Sequence, residues 1–226
     1  MPEYCVTGGT GFIAAYIIRS LLEKGDTVRT TVRDPENVKK VGYLLEMKGA
    51  HDRLKLMKAD LMLWYAYAKT IAEKDAWSVA KESGINLVVV NPSYVVGPLL
   101  APQPTSTLQM ILAYVTGAVE EYPNTTVGFV HIDDVVAAHI LAMEKKEAAG
   151  RLICSSTVAH WSEVIHMLKS KYPSYPYVDK CSSRKGDNNP HSMDSSKILQ
   201  LGLPPLKTLE QMFDDCITSF QEKGFL

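Results

Sequence analysis

The sequence predicts an α/β protein, a parallel β-sheet with helices on both faces, followed by a small C-terminal lobe. The first observation behind this class is an alternation along the chain: short apolar runs typical of strands are followed by segments whose apolar residues recur at helical spacing. The second is the composition of an ordinary folded protein, with 46% hydrophobic and 22% charged residues. With 226 residues, the chain is long enough for one large domain or two small ones.

The N-terminal part contains a regular series of predicted elements. Asp34 is predicted to cap the second helix, because Pro35 follows it at the first helical position. The run at 87–91 is apolar without interruption, which predicts a strand buried on both faces. In order, the elements are strand 4–7, a helix from 13 that stops at Gly25, strand 27–32, helix 34–48, strand 54–58, helix 63–83 and strand 87–91.

The C-terminal part continues the alternation after a proline-rich loop. Its clearest signal is a capping box made by Thr208 and Gln211, which predicts the start of a last amphipathic helix. The elements before that helix are helix 108–115, strand 127–132, helix 134–143 and strand 152–154.

Charge and cysteine content exclude several classes of protein. The chain has 24 basic and 25 acidic residues, so nothing attracts nucleic acid or anionic lipid non-specifically. The four cysteines lack metal-ligand spacing, so we predict reduced thiols and no metal. Residues 83–119 are uncharged but are interrupted by prolines, and the N-terminus lacks the features of a signal peptide, so we predict a cytoplasmic protein without a membrane span.

A glycine pattern follows the first strand. Residues 7–14 read TGGTGFIA, which is GxxGxxA between a strand and a helix and predicts a Rossmann-like dinucleotide site. Gly8 would permit the tight turn, Gly11 would let the backbone approach a pyrophosphate, and Ala14 would allow close helix packing. The other predicted cofactor-binding residues of this turn are Thr10, Phe12 and Ile13. The alternative is a glycine turn that binds no ligand.

The residue that selects the coenzyme lies about 20 positions beyond the glycines, where an acid would favour NAD and an arginine NADP. Here it is Arg33, and Lys39 and Lys40 on the following helix would complete a predicted cationic pocket, with Lys40 as the named cofactor contact. NADP is therefore the predicted cofactor. The alternative, ordinary solvated charges, applies more to Lys39 than to Arg33, because Arg33 lies at the end of a strand.

A candidate catalytic pair follows in the long helix. Tyr65 and Lys69 form YxxxK and share one face of the helix. A nearby ammonium group lowers the pKa of a phenol, which lets tyrosine exchange a proton with a carbonyl or an alcohol. YxxxK alone is a weak signal, and Tyr65 as a surface aromatic is the alternative; together with GxxGxxA and Arg33 the pattern is specific.

At this point the sequence resembles the extended short-chain dehydrogenase/reductases. More narrowly, it is similar to the plant group of dihydroflavonol, cinnamoyl-CoA and tetraketide α-pyrone reductases, above all the last. Nearly the whole chain is covered. The segments that carry the resemblance are VTGGTGFIAAYIIRSLLEKG, TVRTTVRDPENVKKV, KADL, WYAYAKTIAE, VVVNPSYVVGPLL, GFVHIDDVVAAHILAMEK and ICSSTVAHWSEVI.

The resemblance implies roles for residues throughout the site. Tyr65 would be the proton donor, and Lys69 would hold the nicotinamide ribose and tune Tyr65. A family motif also contains His131 and Asp133, for which hydrogen bonding at a strand end and helix capping is the favoured interpretation. The further cofactor contacts that the resemblance implies are Asp60 and Leu61 at the adenine, Pro92 and Val95 by the nicotinamide, and Ser106 near the phosphates.

The resemblance also implies that a segment is missing. Gly11 and Tyr65 are 54 positions apart, where the family has two or three more strand-helix units, roughly 60 to 90 residues or more. The join would lie near residues 61–63. The family's catalytic serine would be lost, since no serine occurs between Ser20 and Ser78. We expect the sheet to close over the gap, with strand 87–91 beside the first strand; the rival expectation is an open, aggregation-prone sheet edge.

These observations lead to two hypotheses. The first is an NADP-dependent carbonyl reductase, acting on a tetraketide α-pyrone or phenylpropanoid-like substrate and impaired by the missing segment. The second is an inactive short form that only binds NADP or a partner. The predicted domains are an NADP-binding part at 1–93 and a substrate-side lobe at 94–226, with 126–155 returning to the sheet. The sequence WYAYAK departs from the version typical of cinnamoyl-CoA reductases, which weakens a CoA-ester substrate.

Overall fold

A computed structural model of the chain describes residues 2–58, 65–184, 186 and 191–226, but not the side chains of 65–68 and 106. The predicted cofactor contacts Asp60 and Leu61 lie outside the described residues, and so does the predicted join at 61–63. The sequence-based fold class is confirmed, because parallel strands alternate with helices through most of the chain.

The N-terminal part forms a three-stranded parallel sheet in the order β1-β2-β3. The predicted cap at Asp34 is wrong, because helix α2 begins only at Val38. The Asp34 carboxylate instead accepts a hydrogen bond from the Glu36 N–H at 3.2 Å and stabilises a turn before the helix. The elements are β1 (Glu3–Val6), α1 (Phe12–Glu23), β2 (Thr27–Val32), α2 (Val38–Leu45), α3 (Ala50–Arg53) and β3 (Leu54–Lys58).

The remaining strands form three small sheets. Strand β4 pairs in parallel with β8, β5 in parallel and β9 antiparallel with β7, and β6 in parallel with β10. The elements are α4 (Tyr65–Ser83), β4 (Val88–Pro92), β5 (Tyr94–Val96), α5 (Ser106–Val115), β6 (Glu121–Tyr122), β7 (Thr126–His131), α6 (Ile132–Glu144), β8 (Gly150–Cys154), β9 (Thr157–His160), α7 (Trp161–Lys171), β10 (Lys180–Cys181), α8 (Ser196–Gln200) and α9 (Leu209–Glu222).

The expected closed sheet is wrong. Within the described residues β1 pairs only with β2, and β4 pairs only with β8. The packing of the helices explains this result. Helix α1 packs against α6, and α6 packs on β4, so pairing β4 with β1 would displace α6 from its position against α1. The prediction that strand 87–91 is buried on both faces is also wrong, since every residue of β4 is only half-buried.

Two hydrophobic cores hold the chain together. One joins α1, α2 and β2 to α6 and β8, through fully buried residues such as Ile18, Leu44 and Leu152. The other fills the C-terminal lobe around Trp161, whose ring contacts those of Tyr94, Tyr114 and Phe129 at centroid distances of 5.2 to 5.3 Å.

The capping box predicted at Thr208 is confirmed and begins α9. A second capping box, made by His160 and Glu163, begins α7, which the sequence did not predict. Among the described helices, none combines the length and the apolar character needed to cross a bilayer.

Candidate active site

The glycine turn between β1 and α1 is fixed against β2. Gly8 has a φ of +70°, a conformation that favours glycine, and its N–H donates to the Thr31 hydroxyl at 2.9 Å. The Gly9 N–H donates to the Thr31 carbonyl at 2.8 Å, and a Cβ on Gly9 would lie 2.3 Å from Thr30 Oγ1. Close approach of the turn to β2 therefore requires glycine at position 9, a role that the sequence analysis gave to no residue.

Helix α1 starts directly behind this turn. Gly11 is its N-cap and has no side chain to satisfy the first N–H groups of the helix. A Cβ on Gly11 would stand 3.0 Å from the Gly8 carbonyl oxygen, so the turn is also compact here. The positive end of the helix dipole and the uncapped N–H groups favour an anion at this point.

A cleft of about 960 Å³ opens in front of the turn. Gly8, Thr10 and Gly11 line one wall of it. Arg33, at the end of β2, and Lys40, on α2, line it as well. The structure thus brings five of the predicted cofactor-binding residues into one cleft. Lys39, the weaker sequence candidate, is not among its lining residues in the described chain.

The opposite wall of the cleft comes from the start of α5. Thr105 and Gln109 line it, one helical turn apart. Thr105 is the N-cap of α5, but its side chain makes no cap hydrogen bond, and Oγ1 is buried without a partner among the described residues. A buried hydroxyl without a partner costs about 1 to 3 kcal/mol, so a ligand oxygen in the cleft would stabilise this site. Sequence reasoning missed both residues; their i, i+4 spacing after a proline-rich loop was the available signal.

These residues fit a dinucleotide that carries an additional phosphate. The uncapped start of α1 suits the pyrophosphate, and the two cations suit a phosphate on the adenosine ribose. Asp34 also lines the cleft, so cations and one acid lie side by side near its Arg33 end.

The two predicted catalytic residues lie on α4. This helix begins at Tyr65, whose side chain is outside the description. Lys69 is exposed and lines a cavity of about 440 Å³ beside β1, together with Tyr4, Thr7 and His139. Because Thr7 lines this cavity and Gly8 lines the cleft, Lys69 lies on the β1 side of the glycine turn.

The other predicted residues occupy different positions. The Phe12 ring packs edge-on against Tyr16, with centroids 5.6 Å apart, and Ile13 lines the cavity beside β1. Pro92 ends β4, and Val95 is buried in the core shared with α1 and α6. Ser106 begins α5 next to Thr105, with its side chain outside the description.

His131 is part of a polar network at the start of α6. Its Nδ1 accepts the Asp133 N–H at 3.0 Å and caps the helix, which confirms the capping interpretation. That bond leaves the proton on Nε2, which lies 3.1 Å from Asp215 Oδ2. Lys207 Nζ donates to Asp133 and Asp215. Burial, aided by the Lys207 charge, lowers the pKa of His131 and favours the neutral ring.

Comparison with known proteins identifies the family. Residues 55–153 match the NAD dependent epimerase/dehydratase family. The chain is 46% identical to tetraketide alpha-pyrone reductase 2 of Arabidopsis thaliana, with 100% of each protein covered. This chain belongs to the NAD dependent epimerase/dehydratase family. By family it is an oxidoreductase, and its resemblance to plant reductases, seen in the sequence, is confirmed.

Two further proteins extend the comparison. The chain is 33% identical to cinnamoyl-CoA reductase 2 of Medicago truncatula, with 98% of this chain and 92% of the relative covered. The crystal structure of vestitone reductase from alfalfa superposes with a TM-score of 0.84 at 26% identity, covering 99% of both chains.

The length of these alignments shows that the chain is short for its family. The alignment with the Arabidopsis reductase runs over 321 positions, whereas this chain has 226 residues, so at least 95 positions have no residue here. The shortening expected from the spacing of Gly11 and Tyr65 is therefore confirmed. The TM-score of 0.84 shows that the elements of this chain keep the arrangement of a reductase fold, although β1 and β4 do not pair in the described chain.

Proposed function

We propose that the chain is an NADP-binding carbonyl reductase of the tetraketide α-pyrone type. The observation that supports NADP as the cofactor is that Arg33 and Lys40 both line the cleft in front of the glycine turn. An arginine in this position suits a 2′-phosphate, whereas an acid would suit a free ribose hydroxyl. The substrate class follows from the 46% identity to an α-pyrone reductase, with a phenylpropanoid-like carbonyl compound as the broader class.

In this proposal the catalytic pair and the remaining cofactor contacts have defined roles. Lys69 holds the nicotinamide ribose and keeps the Tyr65 phenol acidic, and Tyr65 gives its proton to the substrate carbonyl oxygen. Pro92, Val95 and Ser106 complete the cofactor contacts, with Asp60 and Leu61 at the adenine. The bound coenzyme supplies the hydride that reduces the carbonyl carbon to an alcohol carbon.

We assign the cofactor to residues 1–93 and the substrate to the lobe formed by 94–226. Segment 126–155 returns from that lobe to the sheet, where β8 pairs with β4. The substrate would then lie between the two parts, at the carboxyl ends of the parallel strands.

A second function, binding without turnover, is favoured by two observations. No serine occurs between Ser20 and Ser78, so a hydroxyl that would orient the carbonyl is missing from the expected region. Loss of one such donor commonly lowers the rate about 100-fold to 1,000-fold. In addition, β1 and β4 do not pair in the described chain, so the sheet next to the reaction centre is incomplete.

Titration calorimetry with NADP⁺ tests the cofactor. Arg33→Ala should weaken NADP⁺ binding about 10-fold or more and leave NAD⁺ binding nearly unchanged, because a hydrogen bond to a charged group contributes about 1.5 to 3 kcal/mol. Lys39→Ala is the matched control, since it removes a neighbouring cation that does not line the cleft. Equal effects of the two variants, or no binding of NADP⁺ to the unmodified protein, would contradict the proposal.

Steady-state oxidation of NADPH with a tetraketide α-pyrone separates the two functions. Turnover that is lost in Tyr65→Phe supports the reductase. Binding of NADP⁺ without turnover supports the binding-only form.

A further inference from the structure

Strands β4 and β8 end side by side. Pro92 and Cys154 are the last residue pair of their parallel ladder, and the Ser93 N–H donates to the Cys154 carbonyl at 3.1 Å. Ser93 and Ser155 are therefore the first residues beyond the two strand ends. In open α/β sheets this carboxyl edge is where ligands bind.

The hydroxyl groups of these two serines are buried but unsatisfied. Both Oγ atoms are shielded from solvent and have no hydrogen-bond partner among the described residues, and Ser155 is only 5% exposed. The local backbone does not depend on them, because the Ser195 hydroxyl accepts the Ser155 N–H at 2.9 Å and donates to the Ser155 carbonyl at 2.8 Å. Two hydroxyls are thus left over at a strand edge suited to ligands.

Gly128 on β7 lies directly beneath this pair. A Cβ at Gly128 would stand 2.8 Å from Ser155 Oγ, 3.0 Å from Ser93 Cβ and 2.7 Å from Met193 Sδ. The three side chains therefore converge over a strand position that has no side chain of its own. Met193 covers the pair from outside and is 38% exposed. A thioether side chain is flexible and apolar, so it can move aside without breaking a hydrogen bond.

We propose that Ser93 and Ser155 form a recognition pair for the oxygen substituents on the ring of the substrate, and that Met193 covers this pair until the substrate binds. A hydroxyl both donates and accepts hydrogen bonds, so two neutral hydroxyls suit the carbonyl and enol oxygens of a hydroxylated α-pyrone better than a carboxylate or a phosphate. This inference rests on the proposed reductase function and specifies which residues select its substrate.

Binding of triacetic acid lactone, a simple hydroxylated α-pyrone, tests the pair by calorimetry in the presence of NADP⁺. The double variant Ser93→Ala/Ser155→Ala should weaken lactone binding about 10-fold or more. The same variant should unfold at an unchanged or slightly higher temperature, since it removes only unsatisfied hydroxyls. Met193→Ala should not weaken lactone binding.

Ser219→Ala is the matched control. Ser219 lies in α9 of the C-terminal lobe and is also 5% exposed. Its hydroxyl, however, accepts a hydrogen bond from the Leu99 N–H at 2.8 Å. This variant should lower the unfolding temperature and leave lactone affinity unchanged. If the Ser93 and Ser155 hydroxyls had only a structural role, the double variant would behave like Ser219→Ala, with a lower unfolding temperature and unchanged lactone affinity.

Two results would overturn the inference: no lactone binding by the unmodified protein, or equal lactone affinity in the double variant. Neither affects the proposed cofactor, because NADP⁺ binding is titrated separately and depends on Arg33. Failure of the unmodified protein to bind NADP⁺ would instead overturn the proposed function.

Discussion

The helices of the C-terminal lobe are buried very differently from α4, the helix at the junction between β1 and β4. In the lobe, α5, α7 and α9 surround β5, β7 and β9, and Phe129, Phe213 and Phe220 are completely buried. At the junction, Ala80 is the one buried residue of α4 among its described residues 69–83, and Val79 is 54% exposed. An apolar helix face is buried only where a partner surface exists, and at the junction β1 and β4 do not pair in the described chain.

The junction is open on one side of the sheet and closed on the other. Helices α1 and α6 pack together across it, and Lys24 Nζ contacts Glu144 Oε1 at 2.6 Å at the edge of their interface. On the other side, α4 is attached through the Arg151 and Glu73 ion pair to β8. Ion pairs near the surface contribute about 0 to 1 kcal/mol, so this pair adds little to the attachment of α4.

Two substitutions, one in each region, test this contrast, and their difference in stability is the largest effect that we expect. Trp161→Ala in the lobe should lower the free energy of unfolding by about 3 to 5 kcal/mol, because it empties a buried aromatic site. Val79→Ala on α4 should change it by less than about 0.5 kcal/mol. Urea denaturation of the two variants measures both values. Similar losses would mean that α4 is packed as well as the lobe.

Hydrogen exchange should reveal the same contrast without mutation. Amides of α4 should exchange with an opening free energy near zero, and those of α7 and α9 with values approaching the global free energy of unfolding. Mass spectrometry of peptides covering 69–83, 161–171 and 209–222 compares them directly. Equal protection of the three helices would show that α4 has found a partner surface.

The smallest expected effect is on the pH dependence of stability. His131 and His139, both on the α6 side of the junction, have pKa values lowered chiefly by burial. Below the unfolded pKa of about 6.5 the unfolded chain therefore binds more protons than the folded chain, so stability is lost as the pH falls from about 7 to 5. The His131→Asn variant keeps a cap acceptor for the Asp133 N–H and should lose less stability over this range. Urea midpoints at several pH values measure the slope, and an unchanged slope would contradict this assignment.

The sequence predicted most of the elements but not how β4 is paired and buried. Alternation of strand and helix patterns gave the fold class, and Thr208 with Gln211 gave the start of α9. Helix α7 was missed because histidine, His160, is its N-cap, whereas serine, threonine, aspartate and asparagine are the usual signals. The burial of β4 was predicted wrongly because an apolar run does not reveal whether neighbouring strands exist.

In the candidate site as well, the sequence predicted residues that lie close together along the chain but not those that only the fold brings together. Gly8, Gly11 and Arg33 were predicted because they lie close together in the sequence and share a known spacing. Thr105 and Gln109 reach the same cleft from a distant part of the chain, so only the fold brings them there. Ser93 and Ser155 are a further case, joined by the pairing of β4 with β8.

The contact between α1 and α6 has a mechanical consequence. With no ladder between β1 and β4 in the described chain, this helix pair is one link between the glycine-turn cleft and the lobe, and the hydrogen bond from the Tyr16 hydroxyl to the Pro98 carbonyl is another. Any change in this helix contact would alter the space around Lys69, because Ile17 of α1 and His139 of α6 line the same cavity as Lys69.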